Sequence, residues 1–437
     1  MARATPARLA ALSLLSERRR RDARMRDLLR GSAELSELPE RDRALVSRLA
    51  LGATAAVGEL DRAIDSHLRR GARLEPRVRD ALRLAAFELL YLDTRPDVCV
   101  SQGVELVRAV SPRAAGLANA VLRRVADEDA AALAEARRRV LARSFDAADL
   151  ARAHALPEWL CERALESLGD DGAAEWAARA SEPAGAWVAA NRVRHTSEEV
   201  AALLSAAGCV PVPGPVPGSF SLGEPARLAR SGLVERADVL PCDVSAQEVA
   251  LACCPAPGER VLEVGQGRGT KTILLEGAAH VVGGPCEIVA VEVSARKSAL
   301  ASQRMEAAGV AGHVRCLAAD ARRLEDSLGE FDLVFVDAPC TGTGTIARHP
   351  EIAWSLAPSA PDELAALQLE ILASAAARVR PGGRLVYATC SILAEEDEGV
   401  VEALLASPAG SGLKLEEAHR TGWPHADGHF LARLRRA

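Results

Sequence analysis

Two cysteines each stand just past a strand-like apolar run. Asp337-Ala-Pro-Cys340 follows Phe331-Asp-Leu-Val-Phe-Val336, and Ala388-Thr-Cys390-Ser follows Arg384-Leu-Val-Tyr387. If the two runs are neighbouring parallel strands, both thiols leave the sheet at the same end. A cysteine that only fills space has no reason to sit there, and two of them point to chemistry. A thiolate near a methyl donor serves the methylation of a carbon that is too weak a nucleophile by itself. Pyrimidine C5 is such a carbon: thiolate addition at C6 makes C5 enamine-like, C5 takes the methyl group, and β-elimination frees the protein. Asp337 is placed to hydrogen-bond the N3/N4 edge of the base and stabilise the adduct, or else to cap a turn. The base must leave its stack to be reached, which favours a flipped or single-stranded substrate.

The methyl-donor site is read from "EVGQGRGTKT", Glu263 to Thr272, which closes the strand Val261–Val264 and enters a helix. Gly265, Gly267 and Gly269 let the backbone turn sharply and approach a ligand, with Gln266, Arg268, Thr270 and Lys271 completing the loop. The loop alone could serve a dinucleotide, S-adenosylmethionine or a plain tight turn. Glu292 closes the next strand where ribose hydroxyls need a carboxylate, and Asp320 in "LAADAR" follows the third, placed for an adenine edge. The spacing is GxGxG rather than GxGxxG, which favours S-adenosylmethionine over a nicotinamide or flavin.

Positioning these residues requires a parallel sheet. After residue 245, Val261–Val264, Ile288–Val293, His313–Leu317, Phe331–Val336 and Arg384–Thr389 alternate with helical stretches. That order is α/β, a Rossmann-like methyltransferase domain expected over 241–437, with ligands at the carboxyl ends of the strands. Residues 1–130 read as an all-α bundle, with apolar residues at three and four spacing such as Leu60, Ile64, Leu68 and Val78, Leu82, Ala85. Between them, 131–240 is expected as a small α+β connecting region. It has a strand near Ala186–Asn191 and a tract, Pro211–Gly218, that fits neither a helix nor a central strand.

The 437 residues carry a net charge of −6, unevenly spread. Residues 1–125 hold 24 Arg and no Lys against 16 Asp and Glu, a surplus of eight positive charges that leaves −14 for the remainder. A basic front end on an acidic body suits a protein that meets a polyanion with one part of its surface, although an Arg-rich solvated helix face would look the same. The excess of Arg over Lys, 51 to 3, is a coding bias. The ten cysteines show no CxxC or Cys/His metal spacing and no disulfide framework. No apolar run approaches the roughly 20 residues of a membrane helix, and Leu9–Leu15 before Arg18–Arg21 reverses the order of a secretory signal. A cytoplasmic monomer without metal is expected.

"DAPCTGTGTIARHPEIAW" (337–354) and "LVYATCSILAEEDE" (385–398), extended by "DGHFLARLRR" (427–436), resemble the two characteristic segments of Sun-type, or RsmB-like, RNA cytosine-C5 methyltransferases. "RDRALVSRLALGATAAVGELDRAI" (41–64), "VRDALRLAAFELLYLDTRP" (78–96) and "GLANAVLRR" (116–124) resemble the NusB-like helical RNA-binding domain that precedes it in bacterial members. The resemblance implies a small-subunit ribosomal RNA substrate, free or in an assembling particle. It also implies Cys390 as nucleophile, with Cys340 assisting product release. One departure stands out: where the family usually reads CAAPGGKT, positions 265–271 read Gly-Gln-Gly-Arg-Gly-Thr-Lys, with Glu263 and Glu292 as the acidic residues. A tRNA cytosine methyltransferase and a non-catalytic RNA-binding assembly factor are the competing expectations.

Overall fold

The computed structural model describes residues 3–21 and 23–437, residue 36 in its backbone only. The chain divides into two compact units, one of residues 1–181 with 349–356, the other of 182–348 with 357–437. The segment 131–240, expected as one connecting region, is therefore divided: residues 131–181, with their helices, join the first unit, and 182–240, with four strands and the helices Ser197–Ala206 and Pro225–Leu228, join the second.

The first unit is helical. Helices Pro6–Arg21, Glu40–Ala55, Val57–Ser66, Pro76–Tyr91, Pro96–Val110 and Ala115–Arg124 surround a core that includes Leu12, Leu49, Leu60, Ile64, Leu82, Leu106 and Leu122. The periodic residues of the sequence are its inner faces. Arg8 and Glu88 pair inside this unit, Nε to Oε2 at 2.9 Å and Nη2 to Oε1, with side chains 9% and 3% exposed. Arg62 bonds Glu59 and Asp129, and Arg79 and Arg83 bond Asp61, so part of the basic surplus is consumed internally. Trp354, from the 349–356 segment, donates its indole N–H to the carbonyls of Ala55 (2.7 Å) and Ala155 (3.1 Å). A side chain on Gly58 would overlap its ring.

The second unit opens with a four-stranded antiparallel sheet of β1 (Trp187–Ala190), β2 (Pro211–Pro213), β3 (Ser219–Leu222) and β4 (Val239–Pro241), in the order β2-β3-β1-β4. The proline tract supplies β2 at the edge, the one place in a sheet where missing N–H donors cost no ladder bond.

The main sheet has seven strands: β5 (Arg260–Val264), β6 (Glu287–Glu292), β7 (Val314–Ala318), β8 (Phe331–Asp337), β9 (Val379–Thr389), β10 (Leu413–Arg420) and β11 (Phe430–Arg436). Their order is β10-β11-β9-β8-β5-β6-β7, parallel except for β11, which runs antiparallel to both neighbours. The central strands carry apolar residues on both faces because both faces are covered. Leu262, Val334, Val336, Leu385 and Tyr387 pack on one face with Leu372 and Val401. Val261, Leu333, Phe335 and Val386 pack on the other with Val249 and Leu275. β9 starts at Val379, earlier than the expected Arg384, because Arg380–Gly383 stay in the sheet through a register shift opposite Phe331/Leu333. Among the described residues no helix is long and apolar enough to cross a membrane.

Glu263 projects from β5 beneath the glycine loop, wholly enclosed. The Thr272 hydroxyl donates to its Oε2 at 2.6 Å, and Oε1 has no partner. Burial pushes this carboxyl from about 4.5 up to about 8, against the Thr272 bond and the Lys271 charge, so it is protonated at neutral pH.

Two predictions follow from these buried charges. Arg8→Ala strands the Glu88 carboxylate and should cost about 3–5 kcal/mol in urea unfolding of the full chain, whereas Arg8→Leu/Glu88→Leu should recover most of it; a single-variant loss under about 1 kcal/mol would contradict the burial of the pair. For Glu263, a raised folded pKa stabilises fully below about 4.5 and loses that contribution as pH rises to about 8. The melting temperature of the wild type should therefore fall relative to Glu263→Gln across that window. A pH-independent difference would count against the protonated carboxyl.

Candidate active site

The sheet order reverses at β5 and β8: the chain runs from β5 outward to β6 and β7, then returns to β8 on the other side of β5. The crevice at the carboxyl ends of these two strands is the expected ligand site of such a sheet, and the sequence-predicted residues gather along that edge. Val264 of β5 pairs with Val336, and Asp337 of β8 pairs with Ala388 of β9. Three residues past Asp337 and two past Ala388 lie the cysteines.

Gly265 ends β5 in a left-handed conformation (φ 85°), and a Cβ there would stand 2.1 Å from the Asp337 carbonyl oxygen. Only glycine lets the loop lie against β8. Gly267 (φ 59°) and Gly269 (φ 77°) continue the turn into the helix Thr270–Val282, which begins without a side-chain cap. Its first-turn N–H groups thus have no helical partner of their own. The Gly267 N–H donates to Glu292 Oε2 at 3.0 Å and the Ser294 N–H to Oε1 at 2.9 Å. Each oxygen keeps a second lone pair, so Glu292 can brace the loop and still accept from a ribose hydroxyl.

The other loop residues divide. Gln266 turns inward, its Nε2 bonding Thr272 Oγ1 (3.4 Å) and Cys316 Sγ (3.2 Å) while its Oε1 has no partner. Arg268 is exposed, and Arg304 Nη1 donates to its carbonyl (2.7 Å) and to Thr270 Oγ1 (3.1 Å). Asp320 lies two residues past β7, whose end, Ala318, pairs with Glu292. Its carboxyl bonds the Arg322 side chain and backbone, and these bonds hold it down at about 2. A carboxylate held near Glu292 and a glycine cradle that a side chain would block form a surface fit for S-adenosylmethionine.

Lys271, one of three lysines in the chain, reaches back across the loop and bonds Asp337 Oδ2 at 2.6 Å. Burial opposes its charge, but the Asp337 charge and hydrogen bond outweigh burial and raise its pKa. Beyond this pair, Cys340 Sγ lies 3.0 Å from Cys390 Sγ and accepts from the Cys390 N–H at 3.3 Å. The Cys340 thiol is held well above the ordinary range by its bond with Cys390, then by burial, then by the charges of Cys390 and Glu396. Gly344 fastens the first cysteine's loop: its N–H donates to the Cys390 carbonyl (2.9 Å) and its carbonyl accepts from Gly428 (2.8 Å).

Sequence reasoning missed three contributors. Cys242, half-buried, lies near Lys271, Asp243, Arg348 and Asp337, and desolvation pushes its thiol up to about 12. His429 follows Gly428; burial, with the charges of Lys271 and Arg348, pushes its ring down to about 3, so it is neutral. Glu396 lies behind both cysteine loops, fully buried. Nothing in the spacing marks Cys242. His429 stands inside "DGHF" and Glu396 inside an acidic run that reads as a solvated helix start.

Residues 250–435 match the family model described as 16S rRNA methyltransferase RsmB/F, and residues 5–127 that of the NusB family. Ribosomal RNA small subunit methyltransferase B of Thermus thermophilus is 35% identical over 403 residues, covering 92% of this chain and 87% of that protein. The protein of the same name from Escherichia coli is 30% identical over 411 residues, 91% of each chain. Among solved structures, one titled "Crystal Structure of PH0851" superposes with a TM-score of 0.76 at 23% identity, over 98% of this chain and 99% of that one. NSun6 from Pyrococcus horikoshii, solved with SFG, does so with a TM-score of 0.56 at 18% identity, over 65% and 99%. These two show the fold. The curated relatives, together with a thiol pair and a methyl-donor cradle on one sheet edge, place the chain in the RsmB/F family of S-adenosylmethionine-dependent RNA methyltransferases, with a NusB-family helical domain ahead of the catalytic one.

Proposed function

We propose that the protein methylates C5 of a cytosine in small-subunit ribosomal RNA through a covalent bond between Cys390 and C6. The observation that carries this reading is the 3.0 Å approach of the two thiols beside the Lys271–Asp337 pair. The family and the names of its curated relatives supply the RNA. S-adenosylmethionine, when bound, supplies an electrophilic methyl group; Glu292, Asp320 and the turn Gly265–Lys271 would hold it, Gln266 from within.

The resemblance of the Thr389-Cys390-Ser391 segment to its family counterpart supports Cys390 as the attacking sulfur, and the Cys340 thiol beside it is raised by its bond with Cys390 and by burial. The Cys390 thiolate pair forms the S–C6 bond, the C5–C6 π electrons move to C5, and C5 takes the methyl group as its bond to the donor sulfonium breaks, which would leave S-adenosylhomocysteine. Asp337 Oδ2 is occupied by Lys271, which leaves Oδ1 to accept from N4–H or from N3 once N3 is protonated. This bond strengthens as charge develops on the ring, the condition for catalytic stabilisation. Cys340, as thiolate after giving its own proton to solvent, then takes the C5 proton; the C5–H pair restores the C5–C6 double bond, and the S–C6 pair returns to the Cys390 sulfur.

Removal of either thiol separates the two halves of the cycle. Cys390→Ala should form no adduct with small-subunit rRNA and give no methylated product. Cys340→Ala or Cys340→Ser should form the adduct and fail to release it, leaving an RNA–protein band on denaturing gels. An adduct in Cys390→Ala with none in Cys340→Ala would reverse the assignment. Bisulfite sequencing of RNA from a deletion strain tests the substrate: an unmethylated cytosine should appear in small-subunit rRNA, and an unchanged small-subunit rRNA would overturn the ribosomal reading.

A further inference from the structure

Each cysteine is followed by a hydroxyl residue, Thr341 after Cys340 and Ser391 after Cys390, and both hydroxyls meet the same oxygen. Thr341 Oγ1 donates to Glu396 Oε2 at 2.5 Å and Ser391 Oγ donates to it at 2.6 Å. The other oxygen, Oε1, accepts from the Thr341 backbone N–H at 2.8 Å and from Gln368 Nε2 at 3.0 Å. Four donors therefore fill the acceptor capacity of one carboxylate.

None of the four donors is a cation, and Glu396, Ser391 and Gln368 are fully buried. Taking a carboxyl group out of water is costly unless its hydrogen-bonding positions are met, so these bonds tie both loops to it. Thr343, on the Cys340 loop, joins the same cluster: its Oγ1 lies 3.1 Å from Ser391 Oγ and accepts from the Ile392 N–H at 3.1 Å. Behind the carboxylate, Tyr387 of β9 donates its hydroxyl to Gln368 Oε1 and to the Glu396 carbonyl. The carboxylate thus receives from the residue after each thiol and is braced by the strand that delivers Cys390.

We propose that Glu396 is a positioning residue for methyl transfer: one buried carboxylate that fixes the Cys340 loop against the Cys390 loop and so sets the distance between the two thiols. This role rests on the two-thiol reading above. Glu396 touches neither base nor cofactor, so its effect belongs in the chemical steps and not in binding. Its charge also contributes to raising the Cys340 thiol.

The test uses the full-length protein, S-adenosylmethionine and a small-subunit rRNA transcript, with a second transcript containing 5-fluorocytidine. Glu396→Gln keeps the shape but replaces one acceptor by a donor among donors. It is expected to lower kcat about tenfold or more, and to slow adduct formation on the fluorinated RNA by a similar factor. KM for RNA and Kd for S-adenosylmethionine should stay within about twofold. Ser391→Ala, which retains the carboxylate but cuts one loop from it, should lower kcat with KM unchanged, and serves alone if Glu396→Gln does not fold. Glu396→Asp, with the charge retained on a shorter arm, should regain part of the rate. A folded Glu396→Gln with kcat within twofold of wild type, or a loss confined to KM, would overturn the proposal, as would an unchanged kcat in Ser391→Ala. If the wild type itself forms no adduct on the fluorinated RNA, the two-thiol reading fails; if it does and the variants match it, only the role of Glu396 fails.

Discussion

The pairing of β8 with β9 is the constraint on which the site depends. Parallel neighbours deliver their carboxyl ends to the same edge, and the register that sets Asp337 opposite Ala388 leaves each strand only a few residues before its cysteine. The thiols meet at 3.0 Å because the two exits are adjacent. The same edge receives the glycine turn from β5, where Gly265 lies against the Asp337 carbonyl. A one-residue slip between β8 and β9 would turn every side chain of a strand to the opposite face, and the continuous cover on both faces of the sheet disfavours such a slip.

Charge in the second unit is handled by enclosure and by exact accounting of donors. Glu263 has one donor and an unpartnered oxygen, and burial keeps it protonated. Glu292 holds its carboxylate between two backbone N–H groups at the turn. Lys271, half-buried, keeps a raised pKa because Asp337 faces it. In a chain with 51 arginines, a lysine here matters physically: an ammonium on a flexible stem fits one carboxylate oxygen and leaves the other open, whereas a guanidinium would tend to engage both.

The apolar runs of the parallel strands were legible because strands covered on both faces cannot hide their composition. The helical front end was legible from its three and four spacing. The edge strand β10 was not among the expected strands: it carries Lys414, Glu416, Glu417, His419 and Arg420, charges of the kind that protect edge strands from further pairing and break up an apolar pattern. Cys340, Cys390, Asp337, Lys271 and the glycines were visible as types in a pattern, but the Lys271–Asp337 bond joins residues far apart in sequence and needed the sheet. Glu396 and Asp397 are the clearest loss. They stand in the acidic run Glu395-Glu396-Asp397-Glu398, and both are fully buried. Buried carboxylates of this kind are found through their donors, and the donors lie on other segments.

The central claim is that a sulfur from β9 forms a covalent bond to the target base. The most direct measurement is mass spectrometry of wild-type protein digested after reaction with S-adenosylmethionine and 5-fluorocytidine-substituted small-subunit rRNA. Fluorine at C5 cannot leave as a proton does, so the cycle stops after methyl transfer with the S–C6 bond intact. The account predicts one modified peptide, carrying a methylated fluoropyrimidine nucleotide on Cys390. The same nucleotide on Cys340, or methylated RNA released with no modified peptide, would contradict it.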